Sequence, residues 1–298
     1  MPTATSVSGY SLYNNGPLTT TFSAPATCTT NYIALGRATN PTEIEWFVTC
    51  PFVPPANCNP SGSVIQSIYS AGEGHDPKAG NVIVYHSPGF ICPAGWVTVG
   101  AAARPNPTST SISGAFNVSS AIPTAVGEAF FLPQQDAIIE ALEPGETAVL
   151  CCPSSFTPLN AACYSTLPSS VYTPSTGCLR VFTDPVESTV LGTYTIDGET
   201  VTADLITVTA TGSYPIVTDR TTFTSSDATS FVGVFINDMF TLIYQASDTA
   251  ATATATGAAA TTTATKSEAR SILAHENKFG VTTVCCLAIA LGSFFALY

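Results

Sequence analysis

The chain is 298 residues long, and only 9% of them are charged, against about 25% in ordinary globular proteins. Its formal net charge of −12 excludes a nucleic-acid reader, because no basic stripe exists to neutralise phosphates. The low charge does not bring disorder: 45% of residues are apolar and 10% aromatic, enough to bury a core.

In chain order, residues 1–16 are polar and Gly/Asn-rich and are expected to form a flexible lead. From Pro17 to Thr183, short apolar runs alternate with Pro, Gly, Ser and Asn. Leu18–Phe22, Ile44–Val48, Val82–Tyr85 and Val149–Cys152 read as strands, rich in β-branched and aromatic residues and bounded by breakers. Asp136–Leu142 reads as a turn or two of helix ended by Pro144-Gly145. The fold class expected is mainly β: a disulfide-stapled, two-layer Cys-rich β domain over 17–183 with further units after it.

The next unit spans 184–248. Val190, Gly192, Tyr194 and Ile196 alternate with Thr189, Leu191, Thr193 and Thr195, and Asp197-Gly198 is a two-residue hairpin turn. Ser230–Ile236 and Met239–Gln245 suggest another hairpin about Asn237-Asp238, and the whole unit is expected to pack on the first domain. Residues 249–265 hold only eight Thr, eight Ala and Gly257. Such a tract has no apolar stripe and reads as a disordered, extended stalk, O-glycosylated or plain, that continues as a polar spacer to 279.

Residues 280–298 carry no charge and, as a helix, run roughly 28 Å, close to a bilayer core of about 30 Å. They are expected to be a transmembrane helix or a lipid-anchor signal. For the second, Ser267 is the attachment residue, with Arg270–Phe279 as a spacer inside the usual range of about 8–12 residues. The first ten residues show no basic start and no apolar stretch of a signal peptide. Together with Lys266, Arg270 and Lys278 before the span, they keep open a tail-anchored protein with a cytosolic domain. An external domain at the plasma membrane or cell wall is the expectation preferred.

The cysteines support that preference. Eight of the ten lie at Cys28, Cys50, Cys58, Cys92, Cys151, Cys152, Cys163 and Cys178, a cluster that reads as disulfides formed in an oxidising compartment. The rival, a metal site or reduced thiols, lacks any Cys-x-x-Cys pair or a histidine at ligand spacing among His75, His86 and His275. Neighbouring strand residues point to opposite faces, so Cys151 and Cys152 should bond different partners. Cys50 and Cys58 bracket a turn-rich segment that suits a local loop.

Cys92-Pro93-Ala94-Gly95-Trp96-Val97-Thr98 recurs in degenerate form as Cys152-Pro153-Ser154-Ser155-Phe156-Thr157. The repeat reads as a stapled structural corner; the sharper alternative is an aromatic sugar platform of Trp96 and Phe156. If the corners face each other, Cys92 should pair with Cys151 or Cys152, and the other should reach Cys163, Cys178 or Cys28. One N-glycosylation acceptor, Asn117-Val118-Ser119, is present, whereas Asn40, Asn59 and Asn106 are each followed by proline.

Catalytic motifs are absent: there is no Gly-x-Ser-x-Gly elbow, aspartic Asp-Thr/Ser-Gly, zinc His-Glu-x-x-His or phosphate loop. His75-Asp76 sits between Gly74 and Pro77 and reads as a solvated turn, and His86 as structural. Asp136, Glu140, Glu143 and Glu146 are read as a solvated helix face rather than a calcium site. No enzymatic activity, metal or cofactor is expected.

Three blocks carry a resemblance. They are Gly16–Phe22 (Gly-Pro-Leu-Thr-Thr-Thr-Phe) followed by Cys28, Tyr85–Trp96, and Glu146–Ser155. Together they are similar to an uncharacterised ascomycete group of Cys-rich, membrane-anchored surface proteins, over roughly residues 16–180. The second block carries one extra residue at Phe90-Ile91, Ser155 stands where the group has glycine, and the basic tail common after the span is absent. The resemblance implies a location rather than an activity. The function expected is a fungal cell-surface structural or interaction protein held at the membrane through 280–298. A carbohydrate-binding module for cell-wall polysaccharide and a wall-active hydrolase are the alternatives.

Overall fold

A computed structural model describes residues 2–25, 32–48, 60, 82–118, 129–130, 132–159, 161–182, 187–196, 199–208 and 216–248, all within a compact unit of residues 1–258. The protein is mainly β, and the described strands form three sheets. The first comprises β1 (Ser6–Val7), β2 (Tyr10–Asn14), β5 (Val82–His86), β6 (Trp96–Asn106), β7 (Ser109–Gly114), β9 (Glu146–Pro153) and β17 (Phe240–Gln245). Their order is β1-β2-β5-β17-β9-β6-β7. The second holds β3 (Tyr32–Arg37), β4 (Asn40–Phe47), β10 (Thr157–Leu159), β11 (Ala162–Thr166), β12 (Thr176–Phe182), β15 (Ile216–Thr222) and β16 (Phe231–Asp238). It is ordered β10-β11-β16-β3-β4-β12-β15. The third joins β13 (Glu187–Ile196) and β14 (Glu199–Val208) to β8 (Ala129–Phe130). Two helices complete the described elements, α1 (Gln134–Ala141) and the short α2 (Ser225–Ala228).

Both faces are buried in the middle of the first sheet, and alternation along β9 shows how. Ala148 and Leu150 face a core with Leu12, Ile83, Ala102 and Ile243, closed by Ala137, Ile138 and Ala141 of α1 and by Phe130, Ala203 and Leu205 of the third sheet. Val149 and Cys151 face the opposite way, onto Leu18, Phe240 and Leu242, with Phe22, Cys92, Trp96 and Tyr244 around them. This is the period-2 geometry of a strand with two apolar neighbours.

Several expectations hold. Strands cover Ile44–Phe47, Val82–Tyr85 and Val149–Cys152. α1 coincides with the expected helical turns, and Pro144-Gly145 ends it in a turn with Gly145 at φ +89°. β13 and β14 pair from Glu187↔Val208 to Ile196↔Glu199, and their two linking residues, 197 and 198, lie outside the described residues.

Three expectations are corrected. The lead is not flexible: β1 and β2 form a hairpin, Val7↔Tyr10, through Ser8 (φ +37°) and Gly9 (φ +86°). β2 then runs parallel to β5 with Leu12 buried. Two adjacent positive-φ residues are the signature of a two-residue hairpin turn. Leu18–Phe22 is not a strand; Leu18 makes one isolated bridge to Gly89 and fills the second core cluster.

The second hairpin of the 184–248 unit also does not form. β16 lies between β11 and β3 in the second sheet, while β17 lies between β5 and β9 in the first. Only Met239 separates them. The reason is burial, since Phe240, Thr241, Leu242 and Ile243 are all inside and such a strand needs neighbours on both faces and edges. β16 and β17 are therefore interior strands of the two large sheets, and β15 is an edge strand of the second, rather than parts of an added hairpin unit.

Candidate functional site

The two copies of the repeated corner fold alike. Trp96 N–H donates to the Pro93 carbonyl at 3.0 Å, and Phe156 N–H to the Pro153 carbonyl at 3.1 Å. The third turn residue is left-handed in both, Gly95 at φ +79° and Ser155 at φ +74°. This is the type II turn, whose third position favours glycine. Ser155 therefore holds a conformation that costs a side-chain-bearing residue on the order of 1 kcal/mol.

The corners lie side by side, because β6 pairs β9 through Trp96↔Pro153, Val97↔Cys152 and Thr98↔Cys151. Ser154 clasps the first turn: its N–H and its hydroxyl both donate to the Gly95 carbonyl, at 2.8 and 2.9 Å. Cys92 bonds Cys151 and Cys152 bonds Cys163, so the vicinal pair takes separate partners on opposite faces as expected. The second bond runs from β9 of the first sheet to β11 of the second. Cys178 is also disulfide-bonded, while Cys28, Cys50 and Cys58 lie outside the described residues.

An aromatic row backs the staple. The Trp96 ring meets Phe240 edge-on at 4.8 Å, and Phe240 lies 6.3 Å from His86. His86 is buried, and burial lowers its pKa from the ordinary histidine value, with a hydrogen bond to the Gly16 backbone opposing the shift. Trp96 and Phe156 are both half-buried. The two residues end adjacent turns, and part of the Trp96 ring is committed to Phe240. Pairing with Phe240, 144 positions away, has no local sequence signal.

The four carboxylates near α1 are not simply a solvated face. Glu140 accepts from the Ser8 hydroxyl and Glu143 from the Thr3 hydroxyl at 2.8 Å, tying down the N-terminal segment. Glu146 is buried and accepts from the Glu143 N–H at 2.8 Å, closing the turn after α1. Beside them the Tyr10 hydroxyl donates to the Leu132 carbonyl at 2.7 Å. Burial, reinforced by the Asp136 charge, pushes its pKa up to about 12. Among the described residues no three His, Cys, Asp or Glu side chains group as a metal site.

Asn117 is exposed, one residue beyond the buried Phe116. His75, Asp76, His275, Ser267 and the 280–298 segment lie outside the described residues. Among the residues that are described, no helix is long and apolar enough to cross a membrane. No protein family, curated protein or solved structure matches this chain.

Proposed function

We propose that this chain is a fungal cell-surface structural or interaction protein, held at the membrane by residues 280–298 and standing off it on the Thr/Ala stalk. The observation that carries the reading is the pair of disulfides at the β6–β9 corner, in which Cys151, Cys152 and Cys163 are buried and Cys92 is half-buried. Buried, separately paired vicinal cysteines suit an oxidising compartment. The resemblance to ascomycete surface proteins and the uncharged C-terminal run add the location.

Mass spectrometry of the native mature protein tests it. Oxidised Cys92–Cys151 and Cys152–Cys163 peptides from a carbonate-resistant membrane fraction are expected. Free thiols, or release of the full-length protein by carbonate, would overturn the reading. Peptides from beyond Ser267 would exclude the lipid-anchor version and leave a retained span.

A second reading, a carbohydrate-binding module, is favoured by one observation: Trp96 and Phe156, both half-buried, end two adjacent turns. Phe156→Ala should weaken retention on cell-wall polysaccharide and leave the melting temperature nearly unchanged. Unchanged retention would remove this reading.

A further inference from the structure

Among the described residues the first sheet ends in an open edge. β7 pairs with β6 on one side, through Gly100↔Gly114, Ala101↔Ser113, Ala102↔Ile112 and Ala103↔Ser111, and no described strand lies beyond it. Thr110 to Gly114 are exposed on both faces, and Ile112 keeps 43% of its surface in water. Open edges are ordinarily blunted with lysine, proline or an inward charge. β7 reads Ser-Thr-Ser-Ile-Ser-Gly and has none of these.

The turn that leaves β7 is rigid and ends on the glycosylation acceptor. Gly114 sits at φ +59°, and a Cβ there would lie 2.1 Å from the Val99 carbonyl oxygen, so only glycine fits. The Ala115 N–H donates to Val99 at 2.9 Å and the Asn117 N–H to Gly114 at 2.9 Å. Phe116, 1% exposed, anchors this turn in the core and turns Asn117 outward at the end of the strand.

We propose that Asn117 carries an N-linked glycan and that this glycan covers the open edge of β7, keeping copies of the chain from pairing strand to strand. The amide nitrogen of Asn117 forms a bond to the anomeric carbon of a polyprenyl-diphosphate-linked oligosaccharide. The anomeric C–O bond breaks, and the lipid diphosphate leaves as the amide gives up a proton. The inference rests on the surface reading above, since that donor is met in the secretory pathway.

The full chain, made in a eukaryotic secretory host and solubilised in mild detergent, tests it. Peptide-N-glycosidase should lower its mass and convert Asn117 to aspartate. Asn117→Gln and Ser119→Ala should each shift light scattering from monomer to dimer or larger. Adding Ile112→Lys to Asn117→Gln should restore the monomer. Deglycosylating the already folded protein should reproduce the shift, which separates shielding from a folding defect. An unmodified Asn117 in protein with oxidised cysteines overturns the inference alone; an unmodified Asn117 with free thiols overturns the surface reading too. A glycan whose removal leaves the mass of the assembly unchanged overturns the shielding.

Discussion

The β6–β9 corner and the β13–β14 hairpin are held by different means. At the corner, two disulfides meet on neighbouring residues of a strand buried on both faces, and one of them crosses to another sheet. The hairpin has ten register pairs and no cysteine. One of its faces packs inward through Tyr194, Val201, Ala203 and Leu205, with Tyr194 edge-on to Phe130 at 5.4 Å. The other presents Thr193 and Thr202, whose hydroxyls lie 3.4 Å apart in the open. A strand with one wet face is registered by its own alternation. A strand with two dry faces has no such marker, and here covalent bonds tie it to its neighbours.

That contrast can be broken first at the corner. Replacing Cys92 and Cys151 together by alanine opens a closure of 59 residues, worth about 4 kcal/mol by chain entropy. The melting temperature should fall by roughly 8–16 °C. The Cys152/Cys163 double replacement opens only 11 residues and should cost about 3 kcal/mol. The reverse order in thermal melts would show that strain or packing, not closure, governs the corner.

In the hairpin, Leu205→Ala removes a buried side chain and should cost roughly 2–3 kcal/mol, read by denaturant titration. A loss below about 1 kcal/mol would mean that the third sheet contributes little to the common core. At the N-terminal hairpin the test is alkaline. Tyr10 ionises near 10 when unfolded but at about 12 in the fold. Its contribution is therefore complete below pH 10 and lost as pH rises from 10 through 12, on the order of 2 kcal/mol. Tyr10→Phe should flatten that part of the stability–pH curve; an unchanged curve would assign it to the other buried tyrosines. The smallest effect has the opposite sign. Ser155→Gly should stabilise by roughly 0.5–1 kcal/mol, because it relieves a left-handed serine.

Much of the local structure was legible. Ile44–Phe47, Val82–Tyr85, Val149–Cys152 and the β13–β14 pair announce themselves by composition and period, and the repeated corner does so by its proline and small residues. That Cys92 reaches one of Cys151 and Cys152 while the other bonds elsewhere followed from facing corners and side-chain direction; which of the two it reaches, and that Cys163 is the other partner, did not. What could not be read was long-range. Ser8-Gly9 is a turn signal, but two strands of two and five residues carry too few apolar positions to stand out beside it. β16 and β17 look like a hairpin because nothing local says that one strand belongs to each of two sheets. At the site, Trp96 and Phe156 were identified from the repeat, whereas Phe240, which takes up part of the indole, was not. Glu140 on α1 and Glu143 just beyond it looked solvated because Ser8 and Thr3, which they hold, are more than 130 residues away.

The single-residue passage from β16 to β17 has a mechanical side. Met239 gives the chain no slack, so the two seven-stranded sheets are joined by a taut link at that point. β17 is the fourth strand of seven in the first sheet, bound antiparallel to β9 along Phe240–Gln245 and parallel to β5 at Thr241 and Leu242. A load pulled along β17 from the side of residue 248 thus enters at the middle of the sheet. It strains the ladder bonds to β9 in shear, all together, where a pull on the outermost strand would peel them one at a time.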